Sequence, residues 1–304
     1  MILRTTVATT LALSVAACGG GGGGSSDSSP APGTPSNPLP FDGFSNLQNG
    51  KTTRLTSGGG VRVIPFSQNA DGTLRFEGTQ FAVTSADLTP QSNGDRTIVF
   101  KQEGQPDISF GPNDATFSFY NGSLLVTKPD GTGLAVIADP DQINHEYQTY
   151  GAWLNTPDGR SGWANAGSFG QRTAASNVPT GTSATYSGNS VGIFATESGA
   201  SGLTDSKVTV STDFKSATLS SSDTFITDAA TGVSNSATGL DFSTTINDVE
   251  DGFGVGAIST PTQSGTASVA FYGPNAEEVG GEWGTSGSLD GAEFKYGAAF
   301  GAKR

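Results

Sequence analysis

Residues 265–283 read GTASVAFYGPNAEEVGGEW, and the reading of this stretch decides the fold. Val269 and Phe271 alternate with small residues, as one face of a β-strand requires. The eleven residues that follow, 273–283, hold three glycines, a proline, three glutamates and a tryptophan. Glutamates this close together suit catalytic acids, metal ligands or a purely architectural turn. Pro274 fits the first position of a short helical turn, because its fixed φ is helical and its missing N–H is not needed there. Glu277 and Glu278 would then lie in the first turn, where the helix dipole favours negative charge. Gly280 and Gly281 would stop the turn, and Trp283 would open the next strand as a large core residue. On this reading the acids belong to a connection between two strands and not to a catalytic centre.

The same two-residue alternation recurs along the chain. It is seen at Ile98/Phe100, Phe117/Phe119, Leu124/Val126, Leu134/Val136, Val208/Val210, Leu240/Phe242 and Phe294/Tyr296/Phe300. Turn signals such as NADG, SNGD, KPDG and TPDGR separate these runs. No segment keeps apolar residues at helical spacing over three turns. Closely spaced short strands with one apolar face predict an all-β protein, with antiparallel sheet curled into a sandwich or barrel. Charged residues make up 14% of the chain, against about 25% in ordinary globular domains. The 44 glycines suit β-structure and turns better than long helices. The texture changes near Pro140, from short strands with charged turns to a long Gly/Ser/Thr-rich section, which places a domain boundary at about residue 143.

The first eighteen residues read as an export signal: Arg4, then a run of small apolar residues too short to span a bilayer. It ends in Val15-Ala16-Ala17-Cys18, which resembles a bacterial lipobox, so Cys18 is the expected lipidation site. Cys18 is the only cysteine, which leaves no disulfide framework. Residues 19–40 are rich in Gly, Ser and Pro and read as a tether between anchor and folded body. The chain after Pro40 suffices for one large or two modest cores. A net charge of −13, with few and scattered basic residues, argues against nucleic acid as a partner.

Several pieces that look like chemistry fail on spacing. Gly43, Gly50, Lys51 and Thr52 have six residues between the glycines where a P-loop has four. NDVEDG at 247–252 lacks the ligands that an EF-hand loop needs at its third and twelfth positions, and reads as a hairpin turn. DPDQ at 139–142 fits an interdomain turn. The single histidine, His145, and the lack of a Gly-x-Ser-x-Gly elbow argue against a nucleophilic triad.

Five pieces in order carry a resemblance. GTASVAFYGPNAEEVGGEW closely resembles the C-terminal signature of the transferrin-binding protein B-like β-barrel domain. EYQTYGAWL (146–154) looks like the first barrel strand of that family. VPTGTSATYSGNSVGIF (178–194), VSTDFKSATLS (210–220) and AAFGAKR (298–304) are similar to later family segments. The resemblance implies a β handle domain at 41–143 followed by an eight-stranded antiparallel barrel at 144–304, together one lobe of a type that has two. It also implies a non-enzymatic, monomeric outer-membrane lipoprotein, solute- or protein-binding, with a role in iron or haem acquisition. The alternative is a structural or adhesive surface lipoprotein. No cofactor is required; His145 reads as a surface or interdomain residue or, in a haem-binding version, as an axial haem ligand, since imidazole is a common ligand to haem iron. The loops near 196–206 and 228–238 are the expected partner contacts.

Overall fold

The computed structural model describes residues 38–82, 84–120, 122–228 and 231–304. Cys18, the 1–18 signal and all but the last three residues of the 19–40 tether lie outside them. The described residues fold as two sheets, antiparallel but for one short parallel pair, as the alternation predicts.

The first sheet has thirteen strands. Its early members are short: β1 (Leu39–Pro40), β2 (Thr53–Ser57), β3 (Val61–Gln68), β4 (Leu74–Phe76), β5 (Gln80–Ala82), β6 (Thr84–Pro90), β7 (Arg96–Gln102) and β8 (Ile108–Phe110). They are followed by β9 (Thr116–Tyr120), β10 (Ser123–Thr127), β11 (Gly133–Ala138), β12 (Gln148–Asn155) and β13 (Ser161–Gly170). The main path runs β8-β7-β6-β2-β13-β12-β11-β10-β9, and β3 pairs with β13 while carrying β4 and β5. The sheet curls around an apolar core in which Trp153 stacks on Phe100, with ring centroids 4.1 Å apart and planes 6° from parallel. Phe110 and Phe169 complete that aromatic group. Between β11 and β12 the DPDQ segment forms a short helix, α1 (Pro140–Ile143), capped by the Asp139 carboxylate on the Asp141 N–H. Arg96 ties it to the sheet through Asp139 at 3.3 Å and Asp141 at 2.9 Å.

The second sheet contains β14 (Ala184–Thr196), β15 (Ser201–Thr212), β16 (Ser216–Asp228), β17 (Ser234–Ser236), β18 (Phe242–Asn247), β19 (Phe253–Ser259), β20 (Gln263–Tyr272), β21 (Glu278–Leu289) and β22 (Ala292–Lys303). Setting aside the three-residue β17, eight strands go round a barrel. The late strand β22 pairs with β14 on one side and β21 on the other, with Ser187 opposite Lys303 and Leu289 opposite Ala292. The seam lies between β18 and β19, where the described residues form no backbone ladder. The two strands are joined by the 248–252 turn, and Thr244 Oγ1 donates to Ala257 O across them at 2.5 Å. Trp283, Tyr296, Phe300, Phe271 and Tyr186 fill the interior and are fully buried. This is a packed barrel of the size whose lumen side chains can fill.

One expectation is corrected by the pairing. EYQTYGAWL was read as the opening strand of the barrel, yet β12 pairs with β11 and β13 in the first sheet. The change of sheet therefore falls between Gly170 and Ala184, later than 143/144. The physical reason is that β12 is buried on both faces. Trp153 points into the first core. Tyr150 and Ala152 point the other way, with Val136 and Ala166, onto Val191, Ile193, Leu203 and Ala299 on the barrel's outer wall. A strand that serves two apolar layers looks the same in sequence whichever sheet owns it.

Candidate functional site

The GPNAEEVGGEW stretch lies where the two sheets meet. Residues 273–276 make a tight turn between β20 and β21, not a helical one. Gly273 has φ 87° and Ala276 φ 57°, and a residue in the left-handed region cannot continue a right-handed helix. The Glu277 carboxylate receives the Asn275 backbone N–H and side-chain amide, each at 2.8 Å. Arg304 Nη2 and the Tyr186 hydroxyl both donate to Ala276 O at 2.6 Å. Gly280 and Gly281 do not end this turn; they lie inside β21. Their use is close approach. A Cβ on Gly280 would meet Gln148 Oε1 at 2.9 Å, and one on Gly284 would meet Arg62 Cδ at 2.5 Å. On the neighbouring strand, a Cβ on Gly301 would collide with Gln148 and Tyr150. The glycines of β21 and β22 thus form a smooth strip of barrel wall on which the first sheet rests.

Two of the three glutamates point into this junction. Glu278 is 3% exposed and accepts the backbone N–H groups of Glu146 at 2.6 Å and Tyr147 at 3.1 Å. Burial pushes its pKa up to about 7, against those hydrogen bonds and the nearby Lys303. Glu282, four residues on, is 1% exposed, and burial raises it to about 7 against the Ser268 hydroxyl and the Arg62 charge. Arg62 is itself lowered by burial. Its Nη2 donates to Thr266 Oγ1 at 2.7 Å, and its guanidinium lies 3.7 Å from the Phe81 ring centroid. Arg62 Nε and Glu282 Oε1 have no hydrogen-bond partner among the described residues. Buried carboxylates with raised pKa values are the usual mark of catalysis. Here one is occupied by two backbone donors, and both face a packed inter-sheet layer, so the arrangement joins the two sheets.

His145 belongs to the same junction. It is 7% exposed. Gln148 Nε2 lies 2.8 Å from its Nδ1 and donates to it, and Glu278 Oε2 lies 4.0 Å away. Burial, with Lys303 nearby, lowers its pKa to about 4, so the ring is neutral at physiological pH. Axial haem ligation needs an imidazole nitrogen open to a macrocycle, and this ring is enclosed. Of the two readings of His145, its burial fits the interdomain one, a residue of the inter-sheet layer, and not the haem ligand. No group of three or more His, Cys, Asp or Glu among the described residues is arranged to hold a metal ion.

The expected contact loops are also redrawn. Most of 196–206 is strand, with a tight turn at 197–200, and 228–238 includes β17. Sequence reasoning missed Arg62 and Gln148, since one polar residue in an apolar strand carries no label for its partner. The repeated glycines of β21 and β22 were the available signal.

Residues 178–304 match the family model described as the C-lobe and N-lobe β-barrels of transferrin-binding protein B. No curated protein matches the sequence. Among solved structures, a point mutant of transferrin-binding protein B from Haemophilus parasuis Hp5 is 18% identical, covering 72% of this chain and 50% of its own, with a TM-score of 0.37. A mutant of the Actinobacillus pleuropneumoniae H49 protein is 15% identical over 81% of this chain and 99% of its own, at TM-score 0.41. A protein titled surface lipoprotein is 14% identical, over 80% and 98%, at 0.40. The chain spans about half the length of the first of these. Superpositions at such scores are loose, and the assignment rests on the barrel. The strands within residues 178–304 form a β-barrel similar to the C-lobe and N-lobe barrels of transferrin-binding protein B.

Proposed function

We propose that the chain is a non-enzymatic lipoprotein, held in the outer membrane through Cys18 and facing outward, that captures an extracellular protein carrying iron or haem. The observation that carries this reading is a family barrel whose interior is closed by Trp283, Tyr296 and Phe300. A filled barrel offers its partner an outer surface and loops on a rigid frame. The sheet-joining role of Glu278 and Glu282 supports binding over hydrolysis. The related structures are named for transferrin; the matched part of this chain covers about half of several of them, so a single-lobe contact with a protein carrier is the form proposed. Purified protein immobilised on a sensor should retain iron-loaded transferrin or haemoglobin at micromolar concentration or below. Retention of neither would overturn the iron-acquisition reading. Cys18→Ala should move the protein from the membrane to the soluble fraction, and unchanged membrane association would remove the lipid anchor. The adhesive alternative is favoured by Phe119, 70% exposed on the edge strand β9.

A further inference from the structure

A groove of 440 Å³ lies where the first sheet meets the barrel wall, away from the glutamates. Ser123 and Tyr150 line it from the first sheet, and Asn189, Lys207, Asp223 and Phe225 from the barrel. Ligand sites favour such junctions, and their volumes run from about 300 to 1,000 Å³.

The barrel side of the groove contains an irregularity that closure does not need. Asp205 stands opposite Phe225 and Lys207 opposite Ser222, so Asp223 and Thr224 together face the single residue Ser206. The bulge holds Asp223 at φ 54°. The Asp241 carboxylate fixes it by accepting the N–H groups of Asp223 at 3.2 Å and Thr224 at 3.0 Å, and the Thr224 hydroxyl at 2.6 Å. A bulge re-aims side chains beside functional sites. Here Asp223 meets Lys207 Nζ at 2.8 Å, and Phe225 is left 40% exposed at the groove. On the inner side, Ser206 Oγ bonds to Ser190 Oγ at 2.6 Å and to Ser221 Oγ at 2.8 Å, which stiffens the strands beneath.

The lining selects a ligand class. It offers an aromatic ring, an amide, several hydroxyls, the Lys207–Asp223 ion pair and the further carboxylate of Asp205. With one cation against two carboxylates it does not suit a phosphate, and its apolar members, Ile143, Tyr150, Val191 and Phe225, are outnumbered by polar residues, which does not suit a lipid or porphyrin. A sugar ring presents the complementary chemistry, an apolar C–H face with hydroxyl donors and acceptors around its edge. We propose that this groove binds a neutral saccharide of one or two rings, with its C–H face on Phe225 and its hydroxyls on Asn189, Lys207 and Asp223. The site is independent of protein capture, and either can fail without the other.

Saturation-transfer NMR on the whole protein with maltose, lactose and diacetylchitobiose tests this. At least one should receive transfer on its ring C–H protons. Phe225→Ala and Asn189→Ala should each weaken that binding about fivefold or more, roughly the worth of one aromatic or polar contact. Asp223→Asn keeps a residue type that tolerates positive φ and should weaken it as well. Val255→Ala, at an exposed position absent from the groove lining, should leave it unchanged. All four variants should melt within about 2 °C of the wild type, as surface changes do. No transfer to any of the three sugars, or transfer that survives Phe225→Ala and Asp223→Asn, overturns the proposal.

Discussion

The two sheets solve the same problem differently. In the barrel, β14, β15, β16, β21 and β22 are 12 or 13 residues long and run in nearly unbroken antiparallel register. In the first sheet no strand exceeds 10 residues, and β2 and β3 share β13 as a partner at its two ends. The barrel brings its end strands β18 and β19 side by side at a seam bridged by Thr244, while the first sheet ends at β8 and β9 with nothing paired beyond them among the described residues. Its stability therefore draws on the aromatic cluster around Trp153 and on the layer it shares with the barrel. The lesson is that the smaller sheet leans on the larger one, through a contact that side chains of both build.

The largest expected effect tests closure. Deleting 292–303 removes the partner of both β14 and β21, and the protein should be insoluble or lack a cooperative melt. A soluble truncation that melts cooperatively would show that β22 does not close the barrel. Next come the two core tryptophans. Trp153→Ala and Trp283→Ala each empty a fully buried site and should cost about 3–5 kcal/mol, read from denaturant midpoints. If the first sheet leans on the barrel, Trp283→Ala should lower the whole transition, whereas Trp153→Ala should leave a barrel transition detectable. Equal and complete loss in both would make the two sheets one cooperative body.

Gly301→Val addresses the contact itself. The added side chain would push against Gln148 and Tyr150 and leave the β22 ladder bonds in place. Overpacking of this kind costs about 1–3 kcal/mol. Protease sensitivity should rise in the first sheet and not in the barrel; an unchanged cleavage pattern would contradict a tight glycine strip.

The smallest effect is on pH. Glu278 and Glu282 are raised to about 7 in the folded protein, so the unfolded chain ionises first and stability falls as pH rises from about 4.5 to about 7. His145 is lowered to about 4 and acts in the opposite sense: its contribution is present above about 6.5 and is lost as pH falls toward 4. Two carboxylates against one imidazole leave a net decline with rising pH, of order 1 kcal/mol per pH unit near pH 5–6. Glu282→Gln should flatten the plot of melting temperature against pH. A flat wild-type profile, or one that Glu282→Gln does not alter, would remove the carboxylates from the balance.

The sequence made the fold class legible because alternation reports the two faces of a strand directly. It did not reveal which strands are neighbours. EYQTYGAWL could join either sheet, since both of its faces are apolar or small. The Gly280-Gly281 pair was read as a helix stop, because a glycine in a strand and a glycine after a helix differ only in what approaches them from elsewhere. GPND (111–114) and GPNA (273–276) are both turns between strands, as their likeness suggests, yet only the second sits against another sheet. His145 was singled out for its rarity, and its burial depends on Gln148 and Glu278 meeting across the junction. The bulge at Asp223 was invisible, since SSSDTFIT is polar up to Phe225 and has no alternation there for a bulge to interrupt.

The pairing of Ser187 with Lys303 also sets a schedule. The edges of β14 and β21 stay open until 292–303 arrives, and contacts between residues so far apart in sequence are slow to form. During that delay the strands expose unpaired backbone, the condition in which chains associate with one another. The glycines that let the first sheet settle on the barrel add a second delay, because the surface they form exists only once β21 and β22 lie side by side. Refolding should therefore proceed in order, barrel before docking, and dilute conditions should favour its yield.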